Sequence, residues 1–128
     1  MSYVGPVGRW EIYWIDLEPH VGREQGGDRR PGVVISNDGF NVQFDVVTIL
    51  PLTQLEGKQR RVYPFEVLLP SKVVGTGFGS IAMPQQVRTI SKLRLAERIG
   101  VLADEDLRTQ IENRLLEHLG IEFEAEEL

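Results

Sequence analysis

The sequence contains no cysteine, which excludes disulfides, iron–sulfur clusters and zinc–thiolate sites. It has two histidines, His20 and His118, and nothing in their positions places them together as the acid–base pair of a nuclease. No group of His, Asp and Glu has metal-ligand spacing, because the acidic run Asp104–Asp106 is better explained as the start of a helix. We therefore expect neither a metal site nor a cofactor.

Long apolar runs are also missing. No run approaches the roughly 18 residues needed to cross a membrane, and Met1–Gly8 lacks the basic and apolar regions of a signal peptide. A length of 128 residues is that of one domain. We expect a cytoplasmic protein with no membrane association, consisting of one domain over residues 1–121 and an acidic tail over residues 122–128.

Common catalytic motifs are absent as well. The segment Gly75–Gly79 contains three glycines, but it lacks the full phosphate-loop pattern and we interpret it as a turn. No Gly-x-Ser-x-Gly motif occurs, so the sequence gives no sign of a serine hydrolase triad.

The charge is unevenly distributed along the chain. The net charge is −5, which by itself disfavours nucleic-acid binding. Residues 1–100 nevertheless hold 12 basic and 10 acidic residues, whereas residues 101–128 hold 2 basic and 9 acidic ones. The basic clusters are Arg23, Arg29 and Arg30, and Lys58, Arg60 and Arg61. Because local potential decides where a phosphate chain binds, the body of the protein can still bind RNA, although these residues are also ordinary for solvated loops.

Hydrophobic patterning predicts a mostly β domain. Strands are expected over residues 9–17, 31–36, 46–53, 62–69, 80–83, 86–89 and 97–102, with loops over 18–30 and 71–79 and a turn over 37–39. One helix is expected over 104–119, capped by Asp104 and followed by Gly120. Its apolar face consists of Leu107, Ile111, Leu115, Leu116 and Leu119. Short strands with a single late helix indicate a small, strongly bent sheet or barrel.

Several blocks resemble the MazF/PemK toxin family. They are the opening strand Arg9–Pro19, the segment Gly22–Gly27 with the pattern Gly-x-Glu-Gln-Gly-Gly, Arg30-Pro31, Asn37-Asp38, Pro51–Thr53 and Gln86–Thr89. The resemblance extends from Arg9 to Gly120. Two residues, Asp28 and Arg29, separate the glycines from Arg30-Pro31, where some members have one, so either Arg29 or Arg30 can occupy the family's arginine position. We choose Arg30 because that arginine directly precedes the proline.

The resemblance implies a mostly β (α+β) fold, an SH3-like small β-barrel of the CcdB/PemK toxin type with a C-terminal amphipathic helix. It also implies a sequence-selective, metal-independent endoribonuclease toxin that cleaves single-stranded mRNA. Attack by the 2′-hydroxyl would leave 2′,3′-cyclic phosphate and 5′-hydroxyl ends and inhibit translation and growth. A MazE-type antitoxin would neutralise it.

By the same resemblance, the catalytic residues are Arg30, Thr53 and Glu24. Arg30 would stabilise charge on the phosphate, and its family counterpart is also proposed as the acid for the leaving oxygen. Thr53 would donate to a phosphate oxygen, and Glu24 would accept the 2′-hydroxyl proton. The expected RNA-binding residues are Gln25, Arg29, Asn37, Gln86 and Arg88. Gln86 and Arg88 can alternatively support a dimer interface.

A homodimer is expected from the first strand as well as from the family. Its alternating positions are apolar on both faces: Trp10, Ile12 and Trp14 on one, Tyr13, Ile15 and Leu17 on the other. A chain this short also buries little surface alone.

Two other functions remain open. A gyrase poison of the CcdB type shares the fold, but that family relies on a Trp-Gly-Ile ending, whereas this sequence ends Glu126-Glu127-Leu128. A non-catalytic SH3-like binding module would require Arg30 and Thr53 to be dispensable for RNA cleavage.

Overall fold

The structure is a computed structural model that describes residue 3, residues 5–55 and residues 60–123. Lys58 of the second predicted basic cluster and residues 124–128 of the predicted acidic tail lie outside the described residues.

Antiparallel strands form the single sheet around which the described fold is built. They are β1 (Glu11–Ile15), β2 (Arg30–Val34), β3 (Val46–Gln54), β4 (Val67–Leu69), β5 (Ser80–Ala82), β6 (Arg88–Ser91) and β7 (Leu95–Val101). The sheet order is β4-β5-β3-β2-β1-β7, and β6 pairs with β3 beside this path. The long strand β3 pairs with β6 through its first half and with β5 through its last residues, while β2 lies along its other edge. The prediction of a mostly β, α+β fold is confirmed.

The late helix is also confirmed. Helix α3 spans Glu105–His118, and the side chain of Asp104 caps it by accepting from the backbone N–H of Leu107 at 3.1 Å. Gly120 follows with a φ of 70°, the left-handed conformation expected just beyond a helix. Ile111 is fully buried, whereas Leu119 is 56% exposed, so the predicted apolar face is only partly covered within this chain.

Some predicted boundaries are wrong. The strand expected over 62–69 begins at Val67, because Pro64 has no N–H for a ladder and the backbone N–H of Glu66 instead closes a turn onto Tyr63 O at 2.9 Å. The turn expected over 37–39 is the start of a short helix, α1 (Asp38–Gln43). The loop expected over 71–79 begins with another, α2 (Ser71–Val74).

Two further predicted strands are displaced. The strand expected over 86–89 is replaced by a 3₁₀ helix, Pro84–Gln86, followed by β6. The last strand runs over Leu95–Val101 instead of 97–102, directly after a second 3₁₀ helix, Lys92–Arg94.

The two faces of β1 are buried in two separate cores. Trp10 and Ile12 belong to one core, which includes Ile111 of α3. Tyr13 and Ile15 belong to the other, together with Leu17. Trp14 is only half-buried and belongs to neither core. The alternating apolar pattern is therefore covered within one chain except at Trp14, and by itself it does not require a homodimer.

Candidate functional site

The β1–β2 loop is folded back on itself by a carboxylate. Glu18 Oε2 accepts from the backbone N–H of Gly27 at 2.7 Å, and Nδ1 of His20 lies 2.7 Å from both Glu18 oxygens. The hydrogen bond from Gly27, with those from His20, lowers the pKa of the Glu18 carboxyl. The backbone of Gly27 also accepts from the N–H of Leu17 at 2.8 Å. The glycine segment is thus fixed close to the start of β2.

The adjacent glycines are required by the close approach of other side chains. A Cβ on Gly26 would lie 2.1 Å from His20 Nδ1, and one on Gly27 would lie 2.8 Å from Arg30 Cγ. Gly27 also has a φ of 119°, which side-chain-bearing residues rarely adopt. Gly27 therefore leaves the space in which the Arg30 side chain lies, and Gly26 leaves the space taken by His20.

Arg30 and Thr53 meet across neighbouring strands. Gly32 of β2 is opposite Pro51 of β3, and continuing this antiparallel register by two residues places Arg30 opposite Thr53. Arg30 Nη1 lies 3.4 Å from Thr53 Oγ1, and Arg30 Nε donates to Gly26 O at 2.7 Å. Thr53 is 5% exposed. A guanidinium with one edge held by a carbonyl thus lies beside a buried hydroxyl, and these two groups can donate to the same anion.

Gln86 connects the same loop to the Pro84–Gln86 turn. Its Oε1 accepts from the backbone N–H of Gln25 at 3.1 Å, and its Nε2 donates to Arg23 O at 3.1 Å. A cleft of about 300 Å³ is lined here by Glu24, Gln85, Gln86, Val87 and Arg88. Glu24 itself is exposed, and its carboxylate accepts from the N–H of Val21 at 3.2 Å.

The lining of this cleft is mostly polar. Four of its five lining residues, Glu24, Gln85, Gln86 and Arg88, carry charged or amide side chains. Arg88 Nη1 and Gln85 Oε1 are themselves buried and have no hydrogen-bond partner within the described part of the chain. The composition of the lining favours a polar occupant for this cleft.

Arg29 has a different environment from Arg30. Its guanidinium lies 4.7 Å from the Trp14 ring centroid, and Nη2 is 3.5 Å from Glu97 Oε2 in an exposed ion pair. It borders a second cleft of about 320 Å³, lined by Trp14, Arg29, Arg30, Pro31, Gln54 and Phe78. The direct contact with Thr53 is made by Arg30.

Asn37 lies at the beginning of α1. Its side chain accepts from the backbone N–H of Phe40 at 2.8 Å and so caps the helix. Asn37 lines neither of these two clefts. Its assignment to RNA binding stays a prediction, with helix capping as an established structural role.

Several residues around the site carry no local sequence signal. Gln85, Trp14, Gln54 and Phe78 come from four separate segments and meet the predicted residues only in the folded chain. Phe78 lies in the Gly75–Gly79 segment, which was interpreted only as a turn. The glycine pattern around Phe78 marks a loop but does not show which cleft the loop borders.

A buried ion pair supports the wall of the first cleft. The side chain of Glu66 is fully buried and accepts from Arg60 at 2.8 and 2.9 Å, from Gln85 Nε2 at 2.7 Å and from the N–H of Tyr63 at 3.1 Å. Burial alone raises the pKa of Glu66, but the hydrogen bonds outweigh it and hold the pKa below its usual value of 4.5. The same carboxylate raises the pKa of Arg60.

We expect Glu66→Gln to lower the free energy of unfolding by about 2–3 kcal/mol at pH 7, because charge-assisted hydrogen bonds are lost. A carboxyl whose pKa is depressed in the folded state contributes fully above its unfolded pKa and loses that contribution as the pH falls through the folded one. The difference between wild type and variant should therefore shrink below pH 4.5. Urea unfolding at pH 7 and at acidic pH measures it.

Glu112→Gln is the control for this prediction. Glu112 pairs with Arg9 at 3.0 Å, but its side chain is 45% exposed. Its removal should cost no more than about 1 kcal/mol. Equal losses for the two variants, or a Glu66 effect that does not change with pH, would contradict the buried-pair interpretation.

Neither a metal-binding group nor a membrane-spanning helix occurs among the described residues. In the ranges 5–55 and 60–123 no three His, Asp or Glu side chains form a group able to hold a metal ion. No helix in those ranges is long and apolar enough to cross a membrane.

The chain is similar to known proteins over almost its whole length. A family model described as PemK-like, MazF-like toxin of type II toxin–antitoxin system matches residues 8–119. Endoribonuclease MazF9 of Mycobacterium tuberculosis is 36% identical over 118 residues, which cover 88% of this chain and 96% of the relative.

Solved structures show the same fold. MazF from Deinococcus radiodurans superposes with a TM-score of 0.77 at 26% identity, covering 92% of this chain and 100% of that one. A MazE–MazF structure from the same organism gives a TM-score of 0.70 at 22% identity, with coverage of 92% and 100%. The sequence resemblance is thus confirmed, and the chain belongs to the PemK-like, MazF-like toxin family of type II toxin–antitoxin systems.

Proposed function

We propose that this protein is an endoribonuclease toxin that cleaves single-stranded RNA sequence-selectively and without a metal. The observation that carries the proposal is the contact of Arg30 Nη1 with Thr53 Oγ1 at 3.4 Å. It lies in a chain that is 36% identical to an endoribonuclease of M. tuberculosis. The resulting block of translation and growth would take place in the cytoplasm, where mRNA is present.

The reaction needs no nucleophile from the protein. The ribose 2′-oxygen attacks the adjacent phosphorus, the bond from phosphorus to the 5′-oxygen breaks, and the products are a 2′,3′-cyclic phosphate and a 5′-hydroxyl. Arg30 and Thr53 donate to the non-bridging oxygens, where negative charge builds up. In this proposal Glu24 takes the 2′-hydroxyl proton and Arg30 protonates the leaving oxygen.

The remaining assignments place RNA along the Glu24 cleft. Gln86 and Arg88 line it, and Gln25 is held at its edge by the hydrogen bond to Gln86. The positive charge of Arg88 on the lining supports an anionic ligand there. Arg29 contributes a positive charge near Trp14, and Asn37, whose side chain caps α1, is also assigned to RNA binding.

Purified protein incubated with a mixed RNA in excess EDTA tests this function. We expect cleavage to continue, and the mapped ends to be 2′,3′-cyclic phosphate and 5′-hydroxyl, because the ribose supplies the nucleophile. Cleavage that stops on chelation, or that leaves 5′-phosphate ends, would contradict the mechanism. Absence of any cleavage would favour the non-catalytic binding module.

We also propose two protein partners. A MazE-type antitoxin is supported by the MazE–MazF structure from D. radiodurans, whose fold this chain shares. A second copy of this chain is supported by the exposure of Leu119 (56%) and Ile121 (49%) at the end of α3, which dimerisation can cover. A monomer mass in solution at micromolar concentration would contradict the homodimer.

A further inference from the structure

Two aromatic rings stack on the surface between β3 and β4. The centroids of Tyr63 and Phe65 are 5.2 Å apart, and their planes differ by 6°. Tyr63 is 43% exposed and Phe65 is 42% exposed. Parallel, exposed rings of this kind are the surfaces on which proteins stack the unpaired bases of single-stranded nucleic acids.

Positive charge accompanies the rings. The guanidinium carbons of Arg60 and Arg61 lie 5.7 and 5.6 Å from the Tyr63 ring centroid. Arg60 is neutralised by its two hydrogen bonds to Glu66, and it also donates to Arg61 O at 2.9 Å. Arg61 is exposed, so its charge is available to a phosphate next to a stacked base.

The stack is connected to the candidate cleft by hydrogen bonds. The Tyr63 backbone donates to Glu66, and Gln85 Nε2 donates to the same carboxylate at 2.7 Å. Gln85 in turn lines the cleft together with Glu24 and Arg88. The aromatic pair therefore lies beside the cleft wall and is held to it by a buried carboxylate.

We propose that Tyr63, Phe65 and Arg61 form a base-stacking subsite for single-stranded RNA, which takes one nucleobase outside the cleaved linkage. This inference rests on the proposed function. A base on the ring stack, with its phosphate at Arg61, would hold the strand that continues into the Glu24 cleft. The subsite would thus contribute to RNA affinity and not to the rate of phosphodiester cleavage.

The test uses an RNA oligonucleotide containing the mapped cleavage sequence, with a 2′-deoxy nucleotide at the scissile position and 2-aminopurine at successive positions. Stacking should quench the fluorescence at one position outside the linkage, and Phe65→Leu and the double variant Tyr63→Leu/Phe65→Leu should abolish that quenching. Because stacking on aromatic side chains contributes about 1–3 kcal/mol per base, the Kd should rise about 5- to 150-fold. On cleavable RNA, KM should rise while the single-turnover rate at saturating RNA stays nearly unchanged.

Phe44→Leu is the matched control. Phe44 directly follows helix α1, is 51% exposed, and stacks on Phe40 of that helix with centroids 4.9 Å apart. This variant should leave the Kd and the quenching unchanged, and thermal unfolding should show that all the variants are folded.

The outcomes separate the inference from the proposed function. Wild type that cleaves RNA, but shows no local quenching or an unchanged Kd in both leucine variants, overturns the subsite alone. If the leucine variants bind RNA normally but no longer bind a MazE-type antitoxin, this surface belongs to a protein partner. That result also overturns the proposed stacking subsite. Wild type that cleaves no RNA overturns the proposed function instead.

Discussion

A single 2′-deoxy nucleotide at the scissile position should abolish cleavage of an otherwise unmodified RNA. The substitution removes the oxygen that attacks phosphorus, and no group of the protein replaces it in the proposed mechanism. A neighbouring group held in position is equivalent to an effective concentration of about 10⁵ M or more, so the rate should fall on the order of 10⁵-fold. Single-turnover cleavage of the paired oligonucleotides, with the protein in excess, measures this effect.

The control is a 2′-deoxy nucleotide one position to either side of the cleavage site. It removes a hydroxyl without removing the nucleophile, so the rate should change little. Normal cleavage of the RNA that is deoxy at the scissile position would show that water or a protein group attacks phosphorus. The role given to the ribose would then be wrong.

Arg30→Ala should lower the single-turnover rate at least 100- to 1,000-fold, because one donor to a transition-state oxyanion contributes about 3–4 kcal/mol. Arg30 Nε is already held by Gly26 O at 2.7 Å, so the guanidinium is fixed before RNA binds. RNA affinity should fall far less than the rate, because other basic residues still contact the backbone. Rate and Kd are measured separately, the Kd with the uncleavable deoxy RNA.

Two other variants sharpen this prediction. Thr53→Val removes the hydroxyl 3.4 Å from Arg30 Nη1 while nearly preserving shape, and should reduce the rate somewhat less. Arg29→Ala removes a stacked, ion-paired arginine and should affect binding more than chemistry. If Arg29→Ala loses cleavage while Arg30→Ala cleaves normally, the catalytic arginine is Arg29 and not Arg30. Full activity in all three folded variants would place the active site elsewhere.

The sequence was most informative where the determinants are local or strongly patterned. The spacing of apolar residues and the Asp104 cap predicted α3 almost to its ends, because a helix is defined by neighbours three and four residues apart. The failures were also local in origin. Pro64 and the turn closed by Glu66 shorten β4. The strand-forming residues of 62–69 do not reveal that a turn competes with the strand at this point.

The candidate site was predicted in part. Resemblance named Arg30 and Thr53, and strand register explains why residues 23 positions apart come into contact. Gln85 and Trp14 are not predicted as site residues. Gln85 lies outside the family blocks, Trp14 is interpreted only as part of the apolar pattern of the first strand, and both reach the site from distant segments.

By itself the sequence determined the family, the mostly β composition, the capped final helix and the separation of a basic body from an acidic end. These follow from residue order, periodicity and charge, which do not depend on how distant segments meet. The tertiary structure alone decided that the apolar residues of the first strand pack into two cores within one chain, while Trp14 is left half-buried at a cleft. It also placed Glu66 beneath Arg60 and Gln85, and it stacked Tyr63 on Phe65 beside the cleft. The rings are near neighbours in the chain, but their place beside the cleft depends on the contact of Glu66 with Gln85, which is 19 residues away. Such a contact arises only when packing sets the register and orientation of separate segments, because no local rule relates residues that are far apart in the chain.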